Sequence, residues 1–346
     1  MSELRRNNSF RVAVTYIGAI IGAGFASGQE ILHFFVTYGN RGLMGVLLSG
    51  LLFSFLGVII IYISSKLNCN SYKELFYTIG GNKIGFLADI TLTLFLLGSL
   101  IVMLAGSKEI CNELFNYKVN IGLIATLLIV IWTNYYGLEG IMSLNFILIP
   151  ILVIITIIIT GNLIAGFHLD QIENYFSLDW IISSLIYTGY NFVLSMTVLI
   201  PLTEGIKKTD LFSGIFLGGI LLGFLAFLIA YTLNQFYPQV SNSQIPLLEI
   251  IFNYQPKLYY VYSITLWLAM LTTATCNLYA LTKRLTLSIR LSEKKIILMI
   301  VLFILPFIKL PFSSLVEFIY PQIGKLSLGL FLLLFINYFM KFIIRS

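Results

Sequence analysis

Charged side chains are scarce in this sequence of 346 residues. Lys, Arg, Asp and Glu make up 10% of it, whereas soluble domains carry about 25%. Apolar residues make up 58%, which is enough for about ten membrane-crossing helices at roughly 20 residues each. The deficit of charge excludes a soluble enzyme, a secreted disulfide scaffold and a disordered protein. It predicts an all-α polytopic membrane protein.

Histidine and cysteine are rare as well, with two and three copies. Cys69, Cys111 and Cys276 form no CxxC pair and are interpreted as small apolar residues. His33 and His168 have no sequence neighbours that would complete a metal site. No nucleophile–histidine pair and no His-Glu-x-x-His run lies in an apolar segment. The chain is therefore not expected to be an enzyme.

Apolar runs separated by charged or Gly-, Pro- and Asn-rich joints predict ten membrane spans. Their approximate bounds are 10–37, 42–64, 84–107, 119–136, 142–166, 178–202, 211–236, 257–283, 295–309 and 322–342. A shorter apolar run at 243–253 predicts a helix lying on the outer surface. The run Phe312–Tyr320 before Pro321 is compatible with a re-entrant turn and with the first part of a broken last helix.

The distribution of basic residues predicts the orientation of these spans. Fifteen of the 21 Lys and Arg residues fall on the side of the N-terminus, and the joint 167–179 on the opposite side has neither residue type. Cytoplasmic loops carry the excess of Lys and Arg, so both termini are predicted to lie in the cytoplasm, with the chain in a bacterial cytoplasmic membrane. The net charge of +6 is then explained without a nucleic-acid partner. The lipid bilayer and a small solute are the expected partners, and the oligomeric state stays open.

The ten spans divide into two groups of five, at about 10–166 and 178–342, within a single transmembrane domain at 1–346. Because each group has an odd number of crossings, the second group enters the membrane from the opposite side. Two groups with the same fold must then be related by a two-fold pseudo-axis in the membrane plane. This is the inverted repeat of many secondary transporters, which bind solute where helices are broken at the midplane.

Glycines and polar residues mark the first span of each group. The first span contains GAIIGAGFASGQE at 18–30, and the sixth contains YTGYN at 187–191. An offset of about 167 residues carries Gly22 and Gly24 onto Gly189 and Asn191, so both spans are predicted to be broken at matching positions. Close packing of unbroken helices through small residues remains an alternative at this stage.

A broken helix exposes main-chain groups that can bind a charged solute. Free N–H groups at the start of the half-helix near Gly24 suit a carboxylate, and a bare glycine backbone allows close approach. Glu30 is expected about 9 Å beyond Gly24 on the outer half-helix. It could contact a solute amine, bind a proton or seal the outer gate, and a structural pairing is also open. The candidate solute-binding residues are Ile21, Gly22, Ala23, Gly24, Phe25, Ser27, Glu30, Tyr187, Thr188, Gly189, Tyr190 and Asn191.

The run YIGAIIGAGFASGQEI at 16–31 resembles the first-helix signature of the amino acid–polyamine–organocation (APC) superfamily. Members of that superfamily share the LeuT-type fold of five plus five helices. More narrowly, the run GAGFASGQE is similar to the YkvI-type group of bacterial membrane proteins. The resemblance implies transport of amino acids or similar amines, often coupled to Na⁺ or H⁺.

The same resemblance implies a sodium site between the first and eighth spans. Its ligands would be the carbonyls of Gly18, Ile21 and Ala269 and the hydroxyls of Thr272 and Thr273. Oxygen ligands suit a hard cation, although membrane threonines also bond to carbonyls of their own helix. The fifth span lacks the lysine found in some proton-coupled relatives, which favours Na⁺ or no coupling. No cofactor is expected apart from Na⁺ as a coupling ion.

These observations predict a secondary active transporter of a small amino-acid-like or amine solute. The broken helices of the first and sixth spans would move against the remaining helices to give alternating access. A ligand-sensing, permease-like membrane subunit of the germinant-receptor type is the alternative, because one fold can serve both functions.

Overall fold

The computed structural model describes residues 2–115, 121–166, 178–241, 243, 245–309 and 312–342. Within these ranges the regular structure is helical. The α-helices are α1 Ser2–Ile20, α2 Ala23–Ser27, α3 Gln29–Phe34, α4 Asn40–Leu67, α5 Tyr72–Phe115, α6 Ile121–Tyr135, α7 Gly137–Gly166, α8 Asp179–Leu199, α9 Lys208–Gln235, α10 Tyr237–Val240, α11 Pro246–Tyr254, α12 Tyr259–Thr286, α13 Glu293–Ile304 and α14 Phe312–Phe342. Short 3₁₀ turns lie at Val36–Tyr38, Ile200–Glu204, Pro256–Leu258 and Phe307–Lys309.

The described helices confirm the all-α polytopic fold. Six of them are long and apolar enough to cross a membrane, namely α4, α5, α7, α8 with its 3₁₀ extension, α9 and α12. The first predicted span corresponds to α1, α2 and α3 together, and α6, α13 and α14 fill the remaining positions. The run before Pro321 belongs to the single helix α14. Most of the predicted outer joint 167–179 lies outside the described residues.

Several helix–helix contacts recur when each helix of the first five-helix group is exchanged for its counterpart in the second group. Counterpart helices contact each other in the pairs α1–α8, α4–α9 and α5–α12. Three further pairs of contacts also match: α1–α9 corresponds to α4–α8, α5–α14 to α7–α12, and α1–α7 to α8–α14. The assignment of residues 10–166 and 178–342 to two inverted repeats stays a prediction, with which these matched contacts are compatible.

Contacts between distant joints agree with the predicted alternation of the spans. The Arg11 guanidinium in α1 donates to the Glu139 carboxylate at the start of α7, over 2.8 Å. On the opposite predicted side of the membrane, the Ser183 hydroxyl of α8 donates to the Phe34 carbonyl of α3, over 2.6 Å. Each pair joins two segments that the sequence assigns to one side of the membrane. Which side is cytoplasmic remains a prediction.

The faces of α4 illustrate how the sequence separates lipid from protein contacts. Large apolar side chains exposed at helical spacing form its outer face, as expected for contact with lipid: Met44, Leu47, Leu51 and Phe55. On its inner face small residues allow α9 to approach so closely that a Cβ added at Gly50 would overlap the Gly223 backbone. Small residues at the interface are typical of helix packing in membranes.

The predicted break in the sixth span is wrong. Helix α8 runs without interruption over Asp179–Leu199, and the Asn191 amide donates to the Tyr187 carbonyl one turn earlier, over 3.2 Å. Gly189 instead lies beside α14, where its missing side chain would meet the Leu328 backbone at 3.7 Å. A glycine permits a break but does not require one, and here the packing interpretation is the right one.

Candidate functional site

The first span is interrupted twice, and the glycine-rich sequence predicts the first of these interruptions. Helix α1 ends at Ile20, and Gly22 has extended backbone angles, with φ −103° and ψ −166°. The second interruption is at Gly28, whose φ of +81° lies in the left-handed region that favours glycine. Both interruptions are surrounded by protein, because residues 12–28 are all buried.

Three of the five predicted cation ligands come together at the first interruption. The Thr273 hydroxyl of α12 lies 2.9 Å from the Ile21 carbonyl oxygen and 3.3 Å from the Gly18 carbonyl oxygen. The other two predicted ligands contact each other, since the Thr272 hydroxyl donates to the Ala269 carbonyl over 2.9 Å. Within the described residues, no hydrogen bond joins the Thr272–Ala269 pair to the three oxygens around Thr273.

Hydrogen bonding leaves this group of oxygens short of donors. The Thr273 hydroxyl carries one hydrogen, yet it lies between the carbonyls of Gly18 and Ile21. In an unbroken helix the N–H groups of Gly22 and Phe25 would satisfy these carbonyls, but the interruption removes both donors. A small cation would satisfy the three oxygens at once, because each of them can act as a ligand.

At the start of α2, by contrast, main-chain N–H groups lack acceptors. The Ala23 N–H lies 3.5 Å from the Met103 sulfur, which is a weak acceptor. In the described part of the chain, the N–H groups of Gly24 and Phe25 have no acceptor. Unsatisfied N–H groups at this depth favour a negatively charged or carbonyl-bearing ligand.

Glu30 does not extend away from Gly24 as the sequence predicts. The left-handed turn at Gly28 folds α3 back, so that a Cβ added at Gly24 would overlap the Glu30 carboxyl group. The Tyr190 hydroxyl of α8 donates to Glu30 Oε2 over 2.5 Å. The expected separation of about 9 Å assumed a straight helix and is wrong for that reason. Gly24 is the residue that leaves room for this carboxyl group.

The sixth span faces this region with polar and aromatic side chains. Five of its residues are all buried, namely Tyr187, Thr188, Gly189, Tyr190 and Asn191. The hydroxyls of Tyr187 and Thr188 have no hydrogen-bond partner among the residues that the structure describes. An unbroken helix can therefore still present hydroxyl groups to a solute.

One predicted solute-binding residue has a structural role. The Ser27 hydroxyl donates to the Gly24 carbonyl over 3.2 Å and accepts the Gln29 N–H over 3.3 Å. It thus satisfies main-chain groups on both sides of the Gly28 turn.

Sequence reasoning missed Tyr262 of α12, whose hydroxyl donates to the Ala26 carbonyl of α2. The signal was available, because Tyr262, Leu266, Ala269 and Thr273 recur at the spacing of one helical face. This face of α12 lies along the interrupted first span. Tyr262 joins it to the outer half of that span, and Thr273 joins it to the inner half.

Comparison with known proteins gives two relatives of similar length. No protein-family model matches the sequence. The chain is 27% identical over 337 residues to the uncharacterized membrane protein YkvI of Bacillus subtilis (strain 168), covering 94% of this chain and 95% of the relative. It is 26% identical over 324 residues to the uncharacterized protein YyaD of the same organism, covering 91% and 92%.

Solved structures of transporters share the fold. A closed conformation of Mhp1, a nucleobase-cation-symport-1 family transporter, has a TM-score of 0.60 at 14% identity, covering 96% of this chain and 78% of the other. A Na⁺-coupled sialic acid symporter in a substrate-bound, outward-open state has a TM-score of 0.65 at 14% identity, covering 94% and 78%. The protein is therefore an all-α membrane protein with the LeuT-type fold of these transporters, similar in sequence to YkvI and YyaD.

Proposed function

We propose that this protein is a secondary active transporter of a small amino-acid-like or amine solute, coupled to Na⁺. The observation that carries the proposal is the group formed by the Gly18 and Ile21 carbonyls and the Thr273 hydroxyl at the interruption of the first span. The shared fold with symporters supports transport in general. The choice of solute, of Na⁺ and of the APC superfamily belongs to the proposal.

The coupling ion would bind where one hydroxyl hydrogen now serves two carbonyls. Those carbonyls stand at the C-terminal end of α1, which carries the negative end of the helix dipole. Binding of Na⁺ would turn the Thr273 oxygen from a donor into a ligand and would join α12 to both sides of the interruption. Thr272 and Ala269 would complete the oxygen set after a local change that frees them from each other.

The solute would bind directly beyond the ion, between α2 and α8. The free N–H groups of Gly24 and Phe25 would receive a carboxylate or another acceptor group. The hydroxyls of Tyr187 and Thr188, which have no partner within the described chain, would bind its polar atoms. Recognition would thus use main-chain dipoles and hydroxyls more than charged side chains.

Uptake by the purified full chain in proteoliposomes tests the proposal. Labelled amino acids and amines are supplied with an inward Na⁺ gradient, with a K⁺ gradient of equal ionic strength and with no gradient. We expect accumulation that requires the Na⁺ gradient. Binding without accumulation or exchange would contradict transport and favour a ligand-sensing membrane subunit. Accumulation that is equal in Na⁺ and K⁺ would contradict only the coupling ion.

The orientation belongs to the proposal as well, with both termini in the cytoplasm of a bacterial cell. Single cysteines are introduced at Lys208, the first residue of α9, and at Lys257, directly before α12, in a chain lacking its native cysteines. The proposed topology puts these two positions on opposite sides of the membrane. An impermeant thiol reagent added to intact cells should label position 257 and spare position 208. The reverse labelling would invert the proposed orientation.

A further inference from the structure

Two carboxyl groups are buried in the described part of the chain, and their surroundings differ. Asp89 of α5 is 4% exposed and is paired with Arg284 at 2.8 Å and Lys73 at 3.5 Å. Glu30 is 7% exposed, yet no Lys, Arg or His nitrogen of the described residues lies within 4.0 Å of it. Acidic residues at membrane depth are costly and mark binding sites unless they are paired.

Among the residues that the structure describes, the groups that contact Glu30 are neutral. Tyr190 donates its hydroxyl to Oε2, and the Asn191 side chain lies on the same side of α8. Gly24 also borders the carboxyl group and has no side chain to place against it. The fold therefore brings a carboxyl group to the proposed solute-binding region, where no basic side chain of the described residues is paired with it.

The Tyr190 ring, whose hydroxyl contacts this carboxyl group, belongs to a cluster of packed aromatic rings. Phe34 lies 5.6 Å from Tyr187 and 5.7 Å from Tyr190 between ring centroids, and those two tyrosine rings are 5.7 Å apart. Phe95 of α5 lies 6.2 Å from the Tyr190 ring. A carboxylate next to a cluster of aromatic rings is a combination that binds organic ammonium groups, through charge and cation–π attraction. A metal cation would instead require several oxygen ligands.

We propose that Glu30 is the counter-ion for an organic ammonium group of the solute, bound among the rings of Phe34, Tyr187 and Tyr190. This inference rests on the proposed function, because it names the solute class of the same site. The ammonium group replaces the Tyr190 hydroxyl as the partner of Oε2. A positive charge is then the part of the solute that the protein requires, and a solute carboxylate is optional.

Binding of compounds that differ only in charge tests this proposal on the purified full chain. The probes are choline, isoamylamine and L-leucine, each compared with a counterpart that lacks the cation: 3,3-dimethylbutanol, isoamyl alcohol and 2-hydroxyisocaproate. Thermal stabilisation over a range of concentrations gives each affinity. We expect every compound that binds to carry the ammonium group. Binding of an uncharged or anionic counterpart as tightly as its cationic partner would overturn the proposal.

Two variants separate the counter-ion from a structural tether. Glu30→Gln keeps the shape and an acceptor for Tyr190, and it should weaken binding of the cationic probes about tenfold or more. Tyr190→Phe keeps the ring and removes only the hydroxyl, so it should weaken binding less. Glu249→Gln, at an exposed carboxylate of α11, is the matched control and should bind as the parent protein does. Equal losses in the Glu30 and Tyr190 variants, or no loss in Glu30→Gln, would overturn the proposal.

The test distinguishes this inference from the proposed function. Selective, Glu30-dependent binding of ammonium compounds without gradient-driven uptake would uphold the counter-ion and contradict transport. Na⁺-driven uptake of solutes without a positive charge would uphold transport and contradict the counter-ion role of Glu30. Loss of a pH dependence in Glu30→Gln, with unchanged selectivity for ammonium compounds, would identify a proton as the ligand and overturn the proposal.

Discussion

Replacement of Thr273 by valine is the most direct test of the proposed cation group. Valine keeps the branched shape and removes only the hydroxyl, which lies 2.9 Å from the Ile21 carbonyl and 3.3 Å from the Gly18 carbonyl. A hydrogen bond or ligand contact to a charged group contributes about 1.5–3 kcal/mol. Loss of this one oxygen should therefore weaken Na⁺ binding roughly 10- to 150-fold.

The effect can be measured as stabilisation by Na⁺. An ion present at 100 times its dissociation constant stabilises the folded protein by about 2.7 kcal/mol, and a thirtyfold loss of affinity reduces this to about 0.9 kcal/mol. Thermal unfolding in detergent, in NaCl and in KCl of equal ionic strength, reports this difference as a smaller Na⁺-dependent shift of Tm. Thr273→Ser keeps the oxygen and should restore most of the shift.

Thr275 provides a matched control on the same helix. Its hydroxyl is fully buried and donates to the Leu271 carbonyl over 2.8 Å, but it is not part of the cation group. Thr275→Val should lower Tm equally in Na⁺ and K⁺ and leave the Na⁺-dependent shift unchanged. If Thr273→Val folds normally and also keeps the full Na⁺-dependent shift, then the three oxygens do not bind Na⁺ and the reasoning is refuted.

Three further substitutions test other parts of the site and scaffold. Gly24→Leu places side-chain atoms where the Glu30 carboxyl group lies. It should abolish solute binding while the protein still elutes as a folded species. Retained affinity would show that this region serves helix packing and not solute binding. Gly28→Ala forces a side chain into the left-handed region at φ +81° and should destabilise the protein by about 1–2 kcal/mol, which an unchanged Tm would contradict. Asp89→Asn leaves Arg284 without its buried partner and should lower the free energy of unfolding by about 3 kcal/mol. The double variant with Arg284→Gln should recover part of this loss. Additive losses in the double variant would argue against this pairing.

Much of the fold could be predicted because membrane helices follow from long apolar runs. The predicted spans from 42–64 onward each correspond to a described helix, and the short run at 243–253 corresponds to α11. The glycines of the first span predicted its interruption correctly, because the neighbouring structure supplies partners for the freed main-chain groups. Thr273 was placed beside Gly18 and Ile21 from a resemblance, and the helical periodicity of α12 independently gives the face on which it lies.

The position of Glu30 could not be predicted, because it depends on one backbone angle. Glycine adopts positive and negative φ about equally well, so the sequence does not reveal that Gly28 folds α3 back over Gly24. A straight continuation would have placed the carboxyl group in the outer part of the span. The same freedom misled the prediction for the sixth span, where Gly189 was taken as a break and remains helical.

The difference between the two counterpart spans follows from the partners that a break requires. At the first interruption, the Thr273 hydroxyl and the Met103 sulfur approach the freed carbonyls and the Ala23 N–H. In α8 the helix runs unbroken past Gly189, and the Asn191 amide donates to the Tyr187 carbonyl of the same helix. Unsatisfied main-chain groups in lipid cost several kcal/mol each, so a helix is interrupted only where a neighbour or a ligand compensates. The first span therefore carries the exposed backbone dipoles, and α8 supplies the hydroxyls and rings against which a solute would bind.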